Sequence, residues 1–167
     1  MTDTIVPGPG VPPAPVLDVQ IEALALAPTA RAAAYILKKA HPAVSFTSGR
    51  RDKAAQARAM ASNVVKNRRW IVETYKASNL CTQLQTWVDR HPENTAQAEV
   101  AAGLLSIFDA ASQADLGKFS KHLAGEAFDV QPVTVDADAI KQTIESLPGK
   151  TLFLDKEGGL VRWHVEF

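Results

Sequence analysis

The feature that most limits what this chain can fold into is a change of pattern near Leu116. Before it, apolar residues recur at helical spacing. After it, they fall in short runs punctuated by Pro and Gly. The Ala-rich stretch 28–40 carries Lys38 and Lys39 in its last turn and is followed by His41-Pro42, which predicts a helix that stops there. Ala57, Met60, Val64, Ile71 and Tyr75 continue the period over 52–77, with Asp52 placed as N-cap. Helices are also expected over 82–90 and 95–112, the latter opened by Asn94 or Thr95 with Glu99 near the capping-box position. One short strand is expected among them, where 43–47 alternates apolar and small polar residues up to Ser48-Gly49. Beyond Leu116, 127–130 reads as a strand, 136–147 as a helix and Pro148-Gly149 as a turn. Segments 151–154 and 160–167 then read as strands around a hairpin loop at 155–159. Helices first and an antiparallel sheet later give an α+β class.

At 167 residues and 46% hydrophobic content, the chain can bury one real core, and whole-chain disorder is excluded. No run of about 18 uncharged apolar residues occurs, so no transmembrane helix is expected. Prolines 7, 9, 12, 13 and 15 leave residues 1–18 as an extended leader before a domain over 19–167. The start lacks a basic segment followed by an apolar one, so a cytoplasmic, soluble monomer is the expectation. Cys81, the single cysteine, has no disulfide partner and reads as a small buried hydrophobe. Lys plus Arg equals Asp plus Glu at 18 each, but not evenly: residues 50–76 carry eight bases and two acids. Residues 122–167 carry four bases and eight acids. Without a recognised nucleic-acid motif, the basic stretch reads as a solvated face, and no nucleic-acid partner is expected.

Chemistry concentrates in two places. His122 lies in Ser120-Lys121-His122-Leu123-Ala124-Gly125-Glu126-Ala127-Phe128-Asp129, and His164 lies in Arg162-Trp163-His164-Val165-Glu166-Phe167. A loop that doubles back at Gly125 would bring His122 towards Asp129, and a second His from a neighbouring strand would complete two nitrogens and one oxygen. Three protein ligands with a fourth position open to water is the arrangement of a catalytic zinc. By spacing alone, a surface histidine and a capping aspartate fit the same residues.

The pattern S-x-H-x-x-G-x-A-x-D, met by Ser120, His122, Gly125, Ala127 and Asp129, resembles the signature of the zinc D-alanyl-D-alanine carboxypeptidases. That family includes phage endolysins that cut L-Ala-D-Glu bonds, and it shares its fold with the hedgehog signalling domain. Thr47-Ser48-Gly49-Arg50-Arg51 resembles the family's upstream S-G-x-R segment, and Trp163-His164-x-Glu166 its closing W-H motif. The likeness spans about residues 43–167, with little family signal in the helices between 54 and 113. It implies a hedgehog-like zinc-peptidase fold and one zinc ion held by His122, Asp129 and His164. It also implies a peptidase acting on bacterial peptidoglycan stem peptides, as an endolysin released through a holin or as a carboxypeptidase-like enzyme. Arg51 would hold substrate oxygen, a task suited to a permanently charged fork of donors. Arg50, where the family often has tyrosine, could take that place if the match is off by one. Ser120 would support the site by a hydrogen bond, or would simply bond local backbone.

One position departs from the family. Its usual general base is an acid three residues before the second His, and here that residue is Val161. A peptidase still needs a group to move a proton from water to the leaving amine. Glu166 is the first candidate, because in a strand its side chain shares a face with His164. Glu157 and Asp155 could enter from the hairpin, whereas Glu126 is expected to face solvent. Val161 also leaves open a zinc-binding module of the same fold that has lost hydrolysis. His41 and His91, each before a proline, are expected in turns; Trp70 and Trp87 in core or groove walls; and Trp163 behind the metal site.

Overall fold

The computed structural model describes residues 16–157 and 160–167. Most of the expected leader and the tip of the expected hairpin, Gly158-Gly159, lie outside the described residues. The elements run α1 (Val19–Ala23), α2 (Pro28–Ala40), β1 (Phe46–Ser48), α3 (Lys53–Val64), α4 (Trp70–Thr74), α5 (Asn79–Arg90) and α6 (Gln97–Ala110). They continue as α7 (Gln113–Phe119), α8 (Lys121–Ala124), β2 (Ala127–Val130), α9 (Ala137–Glu145), β3 (Leu152–Glu157) and β4 (Leu160–Glu166). The architecture is α+β, as the change of pattern predicts: one antiparallel sheet in the order β1-β2-β4-β3, with flanking helices.

The helix expected over 52–77 is two helices. Its start is as predicted, with the Asp52 carboxylate accepting from the Ala55 amide at 2.7 Å. It ends at Val64 because Asn67 bonds locally instead, its side-chain oxygen accepting from the Arg69 amide at 3.0 Å. The break frees the Arg68 guanidinium to reach the end of α5, where it donates to the carbonyls of Val88, His91 and Asn94. These carbonyls lie in the last turn of α5 and the loop after it, at the negative end of the helix, where a cation is favoured. The other helix boundaries fall within a few residues of expectation. Three short helices were not legible: α1, α7 and α8 are each seven residues or fewer, too short to show a period.

Buried apolar side chains form two clusters. One joins α3 to α7 around Met60, Leu84, Leu104 and Phe108. Within it, Gly103 lets the Trp87 ring lie directly on α6, since a Cβ there would fall 1.8 Å from a ring carbon. The other joins α1, α2 and α9 to one face of the sheet through Leu37, Phe46, Phe128, Ile144, Trp163 and Val165. Strand alternation then decides the opposite face. Phe128 pairs with Val165 and Val130 with Trp163 on the core side, so Asp129, paired with His164, and Ala127, paired with Glu166, turn to the other side. Trp163 is thus buried behind the sheet from His164, with Lys141 Nζ 5.6 Å from its ring centre.

Strand β3 is longer than expected. Asp155, Lys156 and Glu157 belong to it rather than to a loop, and Lys156 and Glu157 pair with Val161 and Leu160. No helix among the described residues is long and apolar enough to cross a membrane.

Candidate metal centre

His122 comes from α8, a single turn rather than the expected loop, and it is fixed twice by the segment that precedes α3. Its carbonyl accepts from the Arg51 amide at 3.0 Å. Its ring Nδ1–H donates to the Gly49 carbonyl at 2.7 Å. That bond fixes the ring so that Nε2 points towards the interior. Gly125 closes the turn in the left-handed region (φ 76°), its amide bonding the His122 carbonyl at 3.2 Å, and sends the chain directly into β2.

Three atoms converge at the sheet face. His122 Nε2 and His164 Nδ1 are 3.2 Å apart. Asp129 Oδ1 stands 2.8 Å from His164 Nδ1 and 3.4 Å from His122 Nε2. Ligands about 2.0–2.1 Å from a tetrahedral ion lie about 3.3 Å from one another, so these separations are near those of three corners of such a site. The two histidines are buried and Asp129 nearly so, with 15% of its side chain exposed. These three residues could hold a metal ion.

Each ligand atom is backed by a bond at its far side. Arg51 Nη2 donates to Asp129 Oδ2 at 2.9 Å. His164 Nε2–H donates to Glu166 Oε1 at 3.1 Å. This is the support that orients metal-ligating side chains and raises their basicity. The electrostatics agree with a tightly coupled cluster. Burial pushes the Asp129 carboxyl up, but hydrogen bonds from His122 and His164 outweigh it and hold the group well below the usual carboxylate range. Burial works against a charged His164, yet its bonds to Asp129 and Glu166 prevail, and its pKa is pushed up to about 9. The His164 hydrogen bond holds Glu166 below its ordinary value against the opposing effect of burial.

A cavity of about 420 Å³ opens in front of His122 and His164. Met60, Trp70 and Phe119 of the helical cluster form one wall, and Leu152 and Leu154 of β3 form the other. Ser120 lines it, and its side chain makes no capping bond to α8. Of the two arginines, Arg51 borders the cavity. Arg50 instead donates to the Ala124 carbonyl at 3.3 Å and does not line the cavity.

The candidate bases separate by their partners. Glu166 does share the His164 face, and its carboxylate is engaged by Nε2, the ring nitrogen turned from the convergent atoms. Asp155 pairs with Lys141 at 2.9 Å and Glu126 with Lys121. Glu157 lines the cavity. Val161 is 61% exposed and faces a separate groove beside Pro132.

Sequence reasoning missed several groups. Tyr75, counted only as an apolar helical residue, lines the cavity, stacks on Phe119 at 4.2 Å and accepts from Gln56 Nε2 at 3.0 Å. Burial, and Glu157 after it, push its hydroxyl above the ordinary tyrosine range, so it stays a donor. Lys76, Lys118, Lys121 and Arg162 also border the cavity, and since Arg51 and Lys76 belong to the basic stretch 50–76, that stretch is not wholly a solvated face. The lysines flanking Ser120 in the first motif were the available signal. His41 and His91 sit at helix ends: the His41 ring meets Thr143 of α9 at 2.8 Å, His91 Nδ1–H donates to the Trp87 carbonyl at 2.7 Å, and neither ring belongs to the convergent group. Cys81 is buried, as expected.

No family model, curated protein or solved structure matches this chain.

Proposed function

We propose that this chain is a zinc-dependent peptidase of hedgehog-like fold that hydrolyses peptide bonds in bacterial peptidoglycan stem peptides. The observation that carries the reading is the convergence of His122 Nε2, Asp129 Oδ1 and His164 Nδ1 at 2.8–3.4 Å, each backed at its far side. Two nitrogens and one oxygen are a donor set that suits zinc with one coordination position left open. The same three residues are the ones to which the S-x-H-x-x-G-x-A-x-D and W-H resemblance assigns the metal.

Zinc at this position would supply Lewis acidity and a water activated near neutral pH. The chain supplies the rest. Arg51 and the neutral Tyr75 hydroxyl border the cavity together and can donate to a substrate carbonyl as negative charge develops on it. Lys76, Lys118 and Arg162 give the mouth a positive rim, which favours a peptide carrying free carboxylates, as stem peptides do. A phage endolysin, held in the host cytoplasm until a holin opens the membrane, is the setting that the motif resemblance favours.

A second reading, a zinc-binding module without hydrolysis, draws on Val161. That residue occupies the position of the family's usual acid and points to a different groove. One experiment separates the two: purified peptidoglycan is digested with zinc-loaded protein, and new peptide termini are sought by mass spectrometry beside a His122→Ala control. New termini absent from the control support the peptidase and name the bond. No new termini from a zinc-replete wild type supports the binding module.

A further inference from the structure

We infer that Glu157, on the strand next to His164, is the general base of the reaction, an inference that rests on the peptidase reading above. The starting point is a vacancy in chemistry: Val161 cannot accept a proton, yet amide hydrolysis requires one to move from water to the leaving nitrogen. Four acids in this half of the chain lie close enough in sequence to be considered, and three are committed elsewhere. Glu166 is held by His164 Nε2, Asp155 by Lys141 and Glu126 by Lys121. Glu157 is the remaining one, and it has neither an ion pair nor a side-chain hydrogen bond among the described residues.

Its placement follows from an irregularity in the sheet. Leu152 pairs with Glu166 and Leu154 with His164, so even-numbered residues of β3 face the cavity. Between Leu154 and Lys156 the register shifts by one, with two steps on β3 matched to three on β4. Beyond the shift the parity changes, and Glu157 lines the cavity while Val161 does not. Such irregularities re-aim side chains beside active sites. Glu157 lines the same cavity as His164 and Tyr75, so one substrate seated there can meet the convergent atoms, the proposed carbonyl donors and this carboxylate.

The step balances with water alone. The Glu157 carboxylate takes a proton from the attacking water as its oxygen bonds to the scissile carbonyl carbon. The carbon–nitrogen bond then breaks, the protonated Glu157 gives that proton to the departing amine, and the carboxylate is restored.

The test compares Glu157→Gln, Glu166→Gln and Asp155→Asn with wild type on a purified muropeptide, at metal content measured for each sample. Glu157→Gln is expected to keep one zinc per chain and lose about 10²–10⁴-fold in kcat, the size of a general-base contribution, while Asp155→Asn stays within threefold of wild type. A second readout needs no turnover. Acetate is titrated into the cobalt-substituted proteins by visible absorbance, and removal of a negative charge facing the open position is expected to tighten acetate binding several-fold in Glu157→Gln but not in Asp155→Asn. Turnover by Glu157→Gln within threefold of an active wild type overturns the assignment and leaves the peptidase standing. Acetate affinity unchanged by Glu157→Gln likewise overturns it, because the carboxylate then does not face that position. A zinc-replete wild type that cleaves no muropeptide overturns the peptidase reading and this inference with it.

Discussion

Arg51 Nη2 lies 2.9 Å from Asp129 Oδ2, so one carboxylate joins a permanent cation to the two imidazoles that meet its other oxygen. The pair spans 78 residues and ties the segment before α3 to the middle of the sheet. Arg51 thereby orients a proposed metal ligand as well as bordering the cavity. Arg51→Ala is expected to weaken zinc affinity about 10–100-fold, the usual effect of losing such a support, and to raise KM. A competition titration against a chromophoric chelator measures the first effect; unchanged affinity would restrict Arg51 to substrate contact.

Glu166 backs His164 through Nε2. Glu166→Gln retains an acceptor oxygen but loses the charge that supports the ring. The expected outcome is weaker zinc binding, by about tenfold or more, with turnover per zinc-loaded molecule largely kept. Loss of turnover at full zinc occupancy would return Glu166 to the role of base.

Gly125 is the turn on which the first motif depends. Its φ of 76° is left-handed, and a Cβ there would lie 3.2 Å from the Ala25 carbonyl oxygen and the Ala27 nitrogen. Gly125→Ala is expected to cost at least about 1–2 kcal/mol, the ordinary penalty for a non-glycine residue in that region. Urea unfolding of the zinc-free protein measures it, and an unchanged midpoint would contradict the strain argument.

Away from the site, Glu22 accepts from Arg31 Nε and from the Tyr35 hydroxyl, both at 2.8 Å, and so fastens α1 to α2. The Arg31 and Tyr35 hydrogen bonds hold its carboxyl below the ordinary value of 4.5. A group whose folded pKa is depressed adds stability above its unfolded value and loses it as pH falls through the folded one. Wild type is therefore expected to lose stability below about pH 4.5 more steeply than Glu22→Gln. Denaturation midpoints across that range check this, and parallel curves would remove Glu22 from the acid transition.

What was legible in the sequence was local. Strand alternation put Glu166 on the face of His164, and the short spacing from His122 to Asp129 needed only the turn at Gly125. What was not legible depends on partners distant in the chain. The Asn67 break has its purpose in Arg68 reaching the end of α5, about twenty residues on. The Gly49 carbonyl that fixes His122 offers no side-chain signal, being backbone. Tyr75 stood at an apolar period position, and only the meeting of α4 with Phe119 and Gln56 turns its hydroxyl into a cavity group. The register shift in β3 likewise arises from pairing, which no single-strand pattern contains.

The central claim is that His122, Asp129 and His164 form one zinc centre. The most direct measurement is metal stoichiometry by plasma mass spectrometry on dialysed wild type and His122→Ala, with zinc-edge X-ray absorption on the former. The account predicts one zinc per wild-type chain, with nitrogen and oxygen ligands at about 2.0–2.2 Å and no sulfur, and none retained by His122→Ala. A wild type that holds no zinc under these conditions, or a His122→Ala protein that keeps a full equivalent, would contradict it.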